Sequence, residues 1–200
     1  MKNWCWLLLL TVFIACKDNT TPHPIPENVG LCEGDIAFRL GRSKESRVVT
    51  STDRFAQYSH VGIVVQEHHQ WFVIHAVPGE APDNEPDKIK KDPIEQFFRY
   101  DRAKCGAIMR WNTSDTSLGN AIAHFAFEKY KQNTLFDNEF DKDDSSRIYC
   151  TELVYWAFLN QGIDITEGRA KKFPTFKSPI ILPSDISQNK HLEEIYHLKN

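Results

Sequence analysis

The chain predicts an α+β domain, a small antiparallel sheet packed against helices, and three observations carry that expectation. Two short β-branched, apolar runs, Ser59 to Val65 and Trp71 to Val77, flank the polar stretch Gln66 to Gln70 and read as a hairpin. Cys150, Leu153, Val154, Ala157 and Phe158 fall at the spacing of one helical face. Leu118, Ala121, Ile122 and Phe125 repeat that spacing within a helix from Ser117 to Lys131, with Asp115 or Ser117 as its cap. Strands that bury a face and helices that bury a stripe cover each other as layers.

The elements follow in chain order. Met1-Lys2-Asn3 precedes an apolar stretch, Trp4 to Ile14, too short to span a bilayer and suited to a signal-peptide core. Phe13-Ile14-Ala15-Cys16 resembles a bacterial lipobox, so residues 1–15 are expected to leave and Cys16 to receive lipid. Residues 16–30, with Pro22, Pro24 and Pro26, then form an extended tether from the membrane, and residues 31–200 form the folded domain. The alternatives for the leader are an ordinary signal peptide or a buried first helix. Beyond the hairpin, Glu80 to Asp92 mixes charges with prolines and reads as a solvated loop on a cleft rim. Asp92-Pro93-Ile94-Glu95 reads as the start of a short helix with Asp92 as N-cap, and Ala107 to Trp111 as a strand. The Cys150 helix takes its cap from Asp143, Asp144, Ser145 or Ser146 and stops at Asn160-Gln161-Gly162.

Composition narrows the function classes. The 200 residues are 41% hydrophobic and 26% charged, enough for one domain with a substantial core. The net charge of -3 becomes -4 once Lys2 leaves with the leader, and the chain has no long basic run. That argues against nucleic acid as a partner. The eight histidines show neither a His-x-x-x-His helix nor paired Cys-x-x-Cys elements, so neither a metal nor a cofactor is expected. Of the five cysteines, Cys5 leaves with the leader and Cys16 is lipidated, which leaves Cys32, Cys105 and Cys150. A disulfide between Cys32 and Cys105 and two separate thiols are both open at this point.

The chemistry concentrates on one of those thiols. A helix start surrounds Cys150 with unpaired N–H groups and the positive end of a dipole, which favour a thiolate and an oxyanion beside it. The competing reading is a small buried hydrophobe on a core helix. His60 and His75 lie on the two hairpin strands, and they share a face when paired residue numbers sum to an odd value, as when Val65 opposes Gln70. That register needs an even loop or a bulge, and places His60 directly across from His75. His60 would then take the thiol proton, and His75 would orient His60. Tyr58, two positions before His60 on the same strand face, has two readings: a hydroxyl aimed at the cleft to hold an oxyanion or the substrate amine, or an aromatic packed at the strand start. Asp35 reads as a turn or capping residue and Glu152 as a partner for the helix dipole.

Five stretches carry a family resemblance: Glu33 to Arg39, Tyr58 to Val64, Ile74 to Val77, Tyr149 to Phe158, and Leu182 to Ile186. They resemble the circularly permuted papain-like cysteine hydrolases of the YiiX/YaeF type in the NlpC superfamily. In that permuted branch the histidine strand precedes the cysteine helix, as here. The resemblance implies Cys150 as nucleophile, His60 as base and His75 at the third polar position, where close relatives often carry glutamate. It further implies an amidase or peptidase acting on peptidoglycan stem peptides or small peptide-like amides through a thioester, which the lipobox-like leader would place on the cell envelope. An acyltransferase or thioesterase for lipid-like substrates and a silent binding lipoprotein are the alternatives.

Overall fold

The computed structural model describes Pro22 and residues 24–199. The expected leader and the lipid-accepting Cys16 lie outside the described residues. Six strands form one antiparallel sheet: β1 (Ile36–Gly41), β2 (His60–Glu67), β3 (Gln70–Ala76), β4 (Ile89–Pro93), β5 (Ala103–Trp111) and β6 (Leu192–Lys199). Their spatial order is β4-β3-β2-β1-β5-β6, so the strands richest in apolar residues occupy the middle.

Burial on both faces explains why β2 is apolar almost throughout. Val61, Ile63 and Val65 point to one side and join Leu153, Val154, Ala157 and Phe158 of α4 (Cys150–Leu159), with Ile122 and Ala126 of α3 (Thr116–Lys131). Val64 points to the other side and meets Val73, Ile108, Phe97 and Phe98, where the short helix α2 (Ile94–Phe97) closes the sheet. Each such fully buried Ile or Phe contributes about 1.5–3 kcal/mol relative to an exposed one. Two further helices frame one end of the sheet: α1 (Lys44–Thr52), which has no buried residue, and α5 (Pro183–Ser187), which is mostly buried.

The hairpin keeps the expected face but not the expected register. Glu67 pairs with Gln70 and Val65 with Phe72, so His68 and His69 alone form the loop. Both have positive φ, 49° and 62°, the pattern of a tight two-residue hairpin turn. The paired numbers still sum to an odd value, so His60 and His75 share a face. The residue opposite His75 is Gly62, however, and His60 lies one pleat further along. A Cβ on Gly62 would sit 2.9 Å from His75 Cβ and 2.7 Å from Ile74 O, so glycine opens the gap the two rings use.

Three other expectations shift. Asp92 belongs to β4 and not to a helix cap, and Pro93 takes the N-cap position of α2. The residues ahead of α4 give no cap; Tyr149 is the N-cap, and Glu152 Oε2 accepts its backbone N–H at 3.0 Å. Part of the Glu80 to Asp92 stretch is edge strand β4, whose lysines and final proline suit an unpaired edge. As expected, Asp115 caps α3 and Asp35 closes the turn before β1 by accepting from Cys32 N at 2.8 Å; Asp35 also takes a two-bond grip from Arg110, at 2.7 Å each.

Candidate active site

β2 begins at His60 and α4 begins at Cys150, and the packing of α4 on β2 brings both onto the wall of one cleft of about 480 Å³. Cys150 as a residue is half-buried on that wall. Backbone N–H groups of Val61, Thr151 and Cys150 itself favour its charged form, as a helix start should. Desolvation outweighs them and pushes the thiol up to about 11. At rest Cys150 is therefore a neutral thiol, whereas its position in the sequence suggested a thiolate.

Behind His60 runs a chain of ring and carboxylate contacts. His60 Nε2 and His75 Nδ1 are 2.9 Å apart, and His75 Nε2 and Asp92 Oδ2 are 3.3 Å apart. The roles follow from Asp92, which is ionised and can only accept. His75 then donates from Nε2 and accepts at Nδ1; His60 donates from Nε2 and keeps its Nδ1 lone pair. Burial would raise Asp92, but the hydrogen bond from His75 and the charges of Lys90 and Arg102 hold it far below the ordinary carboxylate range. Arg102 Nη1 binds Asp92 Oδ2 at 2.7 Å and Lys90 approaches to 3.2 Å.

Both imidazoles are neutral. Burial is the first cause for each; it takes His75 down to about 4 against the support of Asp92, and places His60 well below its usual value with help from the Arg39 charge. Arg39 pairs with His60 across β1 and β2. Its guanidinium is buried, stacked 4.5 Å over the Phe97 ring, and donates to Phe97 O at 2.8 Å. Desolvation lowers it to about 10, so it remains a fixed positive charge beside the thiol and the imidazoles.

The cleft wall is tied to α4 at its start. Thr151 Oγ1 donates to Ile181 O at 2.7 Å, and Ile181 N donates to Tyr149 Oη at 3.0 Å. Asp53, just after α1, accepts from Ser184 N and Oγ at 3.0 and 2.6 Å and so joins α1 to α5.

Of the residues singled out from sequence, Cys150 and His60 line the cleft and His75 lies directly behind His60. Tyr58 is the packed aromatic and not an oxyanion group: it is 3% exposed, packs on Phe38 at 5.3 Å, and is absent from the cleft wall. Burial pushes its phenol up to about 12. Glu152 is fully buried and desolvation raises it to about 8, so its part is to close the first turn of α4. Cys32 and Cys105 are free thiols. Asp92 and Arg39 were not anticipated as site residues; the available signal was the alternation of Lys90 and Asp92 with Lys91 on β4, opposite the histidine strand.

A thiol at a helix start beside an imidazole strand, on a sheet whose histidine precedes its cysteine, defines the papain-like class in its permuted form. The chain belongs to the permuted papain-like amidase family YaeF/YiiX, the C92 family, whose model matches residues 31–196. The fold is similar to the crystal structure described as metalloprotein yiiX from Escherichia coli O157:H7, with a TM-score of 0.66 and 18% identity over 84% of this chain and 98% of that one. Comparison with curated proteins gives no match. Among the described residues no group of three or more His, Cys, Asp or Glu side chains is placed to hold a metal ion.

Proposed function

We propose that this amidase-family protein cleaves amides through a thioester on Cys150. The observation that carries the reading is the 2.9 Å contact that fixes the His60 tautomer while His60 and Cys150 line the same cleft. His60 Nδ1 takes the thiol proton as sulfur attacks the carbonyl carbon, which is the step a thiol pushed up to about 11 requires. The Cys150 N–H and the positive end of α4 stabilise the oxyanion. Collapse breaks the C–N bond, and the amine leaves with the proton held by His60. Water, deprotonated by His60, then releases the acid and restores the thiol. His75 and Asp92 act as positioning residues, since neutral imidazole alone is a weak partner for the imidazolium formed on His60 and the Asp92 charge stabilises it through His75.

The lipobox-like Cys16 supports a place on the cell envelope, held to the membrane by lipid. Two substrate ranges stay in play, peptide-like amides such as peptidoglycan stem peptides and acyl compounds of lipid character. The apolar walls of the cleft favour the second for at least part of the substrate. A panel of amides spanning both ranges, followed by mass detection of released pieces, tests the reaction. Turnover should vanish in Cys150→Ser and fall about 10²–10⁴-fold in His60→Ala. Turnover that survives Cys150→Ser contradicts the thioester, and no product from the whole panel returns the protein to a binding role.

A further inference from the structure

Resting on the amidase reading, we infer that the substrate joins an apolar acyl chain to an amine carrying a carboxylate, with Arg42 as the group that reads the carboxylate. The cleft has two unlike walls. Phe136 and Phe140 from the segment before α4, Ile180 and Leu182 from the segment leading into α5, and Pro183 at its first position supply an apolar side of the cleft that Cys150 also lines. α1 adds Val48 and Val49, and this helix buries none of its own residues, so its apolar positions serve the cleft and not the core. α1 is nonetheless fixed at both ends: Ser46 lies against Gly41, where an added Cβ would come within 2.0 Å of its Oγ, and Asp53 is bound to Ser184. A space of about 480 Å³ behind such a roof accommodates a chain of many methylenes, each gaining roughly 0.8 kcal/mol on leaving water.

The charged wall explains the second half of the substrate. Three arginines line it, and two are already occupied. Arg39 donates to Phe97 O and faces Glu80, its terminal nitrogens taken and its buried Nε left without a partner, while Arg102 is bound to Asp92 and Glu80. Of the acids of this wall, Asp101 is bound by Arg99 at 2.6 and 2.8 Å and Glu80 is held by Lys90, while Glu45 is exposed to solvent at the start of α1. Arg42 differs. Its Nε donates to Tyr100 O at 2.7 Å, which orients the guanidinium, and its two terminal nitrogens have no partner among the described residues. An oriented guanidinium with a free fork matches a carboxylate in a two-bond pair. A peptide without an apolar chain would leave the opposite wall unfilled.

The test uses the full chain with three amides: N-dodecanoyl-glycine, N-acetyl-glycine and N-dodecanoyl-glycinamide, followed by mass detection of the released amine. N-dodecanoyl-glycine should show kcat/KM about tenfold or more above each of the others. Arg42→Gln should raise KM for N-dodecanoyl-glycine about tenfold and erase its advantage over the glycinamide, while Arg42→Lys restores part of it. Val49→Asp, on a helix without buried residues, should erase the advantage of the long chain. Equal turnover of the acetyl and dodecanoyl amides, or a charge preference that survives Arg42→Gln, overturns the assignment while leaving Cys150 chemistry standing. If no amide turns over and Cys150 alkylation is indifferent to His60, the underlying amidase reading fails and this inference falls with it.

Discussion

Protonation sets the behaviour of the individual residues. Cys150 combines N–H support with strong desolvation, and the second wins, leaving a thiol pushed up to about 11. In His60→Ala, where no base stands beside the thiol, alkylation of Cys150 by a small neutral reagent should therefore climb about tenfold per pH unit from pH 7 to pH 10. A rate already level at neutral pH in that variant would show a thiolate held without His60. Asp92 is the residue whose removal separates positioning from attack. Asp92→Asn keeps Lys90 and Arg102 in place but takes the fixed charge from behind His75, and kcat should drop about 10–10²-fold with KM nearly unchanged. Unchanged kcat would mean that the His60 tautomer is set without Asp92. The sequence offered Cys150, His60 and His75 because each sits inside an apolar periodic element. Asp92 was hidden because an aspartate before proline also reads as a helix cap, and because β4 carries Lys90, Lys91 and Asp92 in place of an apolar alternation.

Elements bring these residues together, and the β2–β3 hairpin bears the tightest requirement. Gly62 faces His75, and alanine there would press on Val73 Cγ1 at 2.5 Å as well as on His75. Gly62→Ala should cost about 1–3 kcal/mol in denaturant unfolding and lower activity beyond the loss of folded protein, because the His60–His75 contact opens. Retention of full activity would show that the gap is not needed. The loop of the same hairpin is improvable. His68 and His69 hold positive φ without being glycine or asparagine, so His68→Asn with His69→Gly should raise Tm by a few degrees, about 0.5–1 kcal/mol. A lower Tm would contradict the turn. Parity of the pairing was legible from apolar alternation. The exact partner was not, since two candidate loops of even length differ by one step of register, and His-His gives no turn signal. α1, rich in Val, Thr and Ser, and β6, with Glu193 and Glu194 near its start, lack the period that marked α3 and α4.

Across the whole molecule, the proposed chemistry rests on groups that the fold keeps uncharged or paired, and this makes stability depend on acid. His60 and His75 stay neutral when folded but protonate ordinarily in the unfolded chain, so the unfolded state binds more protons once pH falls below the usual histidine value. Stability should be full above about pH 6.5 and decline toward pH 4, with His75 alone contributing on the order of 3 kcal/mol. Asp92, held far below its usual range, extends the loss to lower pH. Urea unfolding at a series of pH values checks this, and a flat profile between pH 7 and pH 4 contradicts neutral, buried histidines. Layering of sheet and helices was readable from the chain because one hydrophobic face per element leaves few ways to stack; which loops close over the cleft was not, since Phe136, Phe140 and Ile180 belong to irregular segments. The most direct measurement is the site-resolved alkylation rate of Cys32, Cys105 and Cys150 in the native protein and in His60→Ala. Assistance by His60 requires that the Cys150 rate fall about tenfold or more while the other two stay constant. A Cys150 rate unmoved by the substitution, or three rates falling together, would leave the thiol without its base.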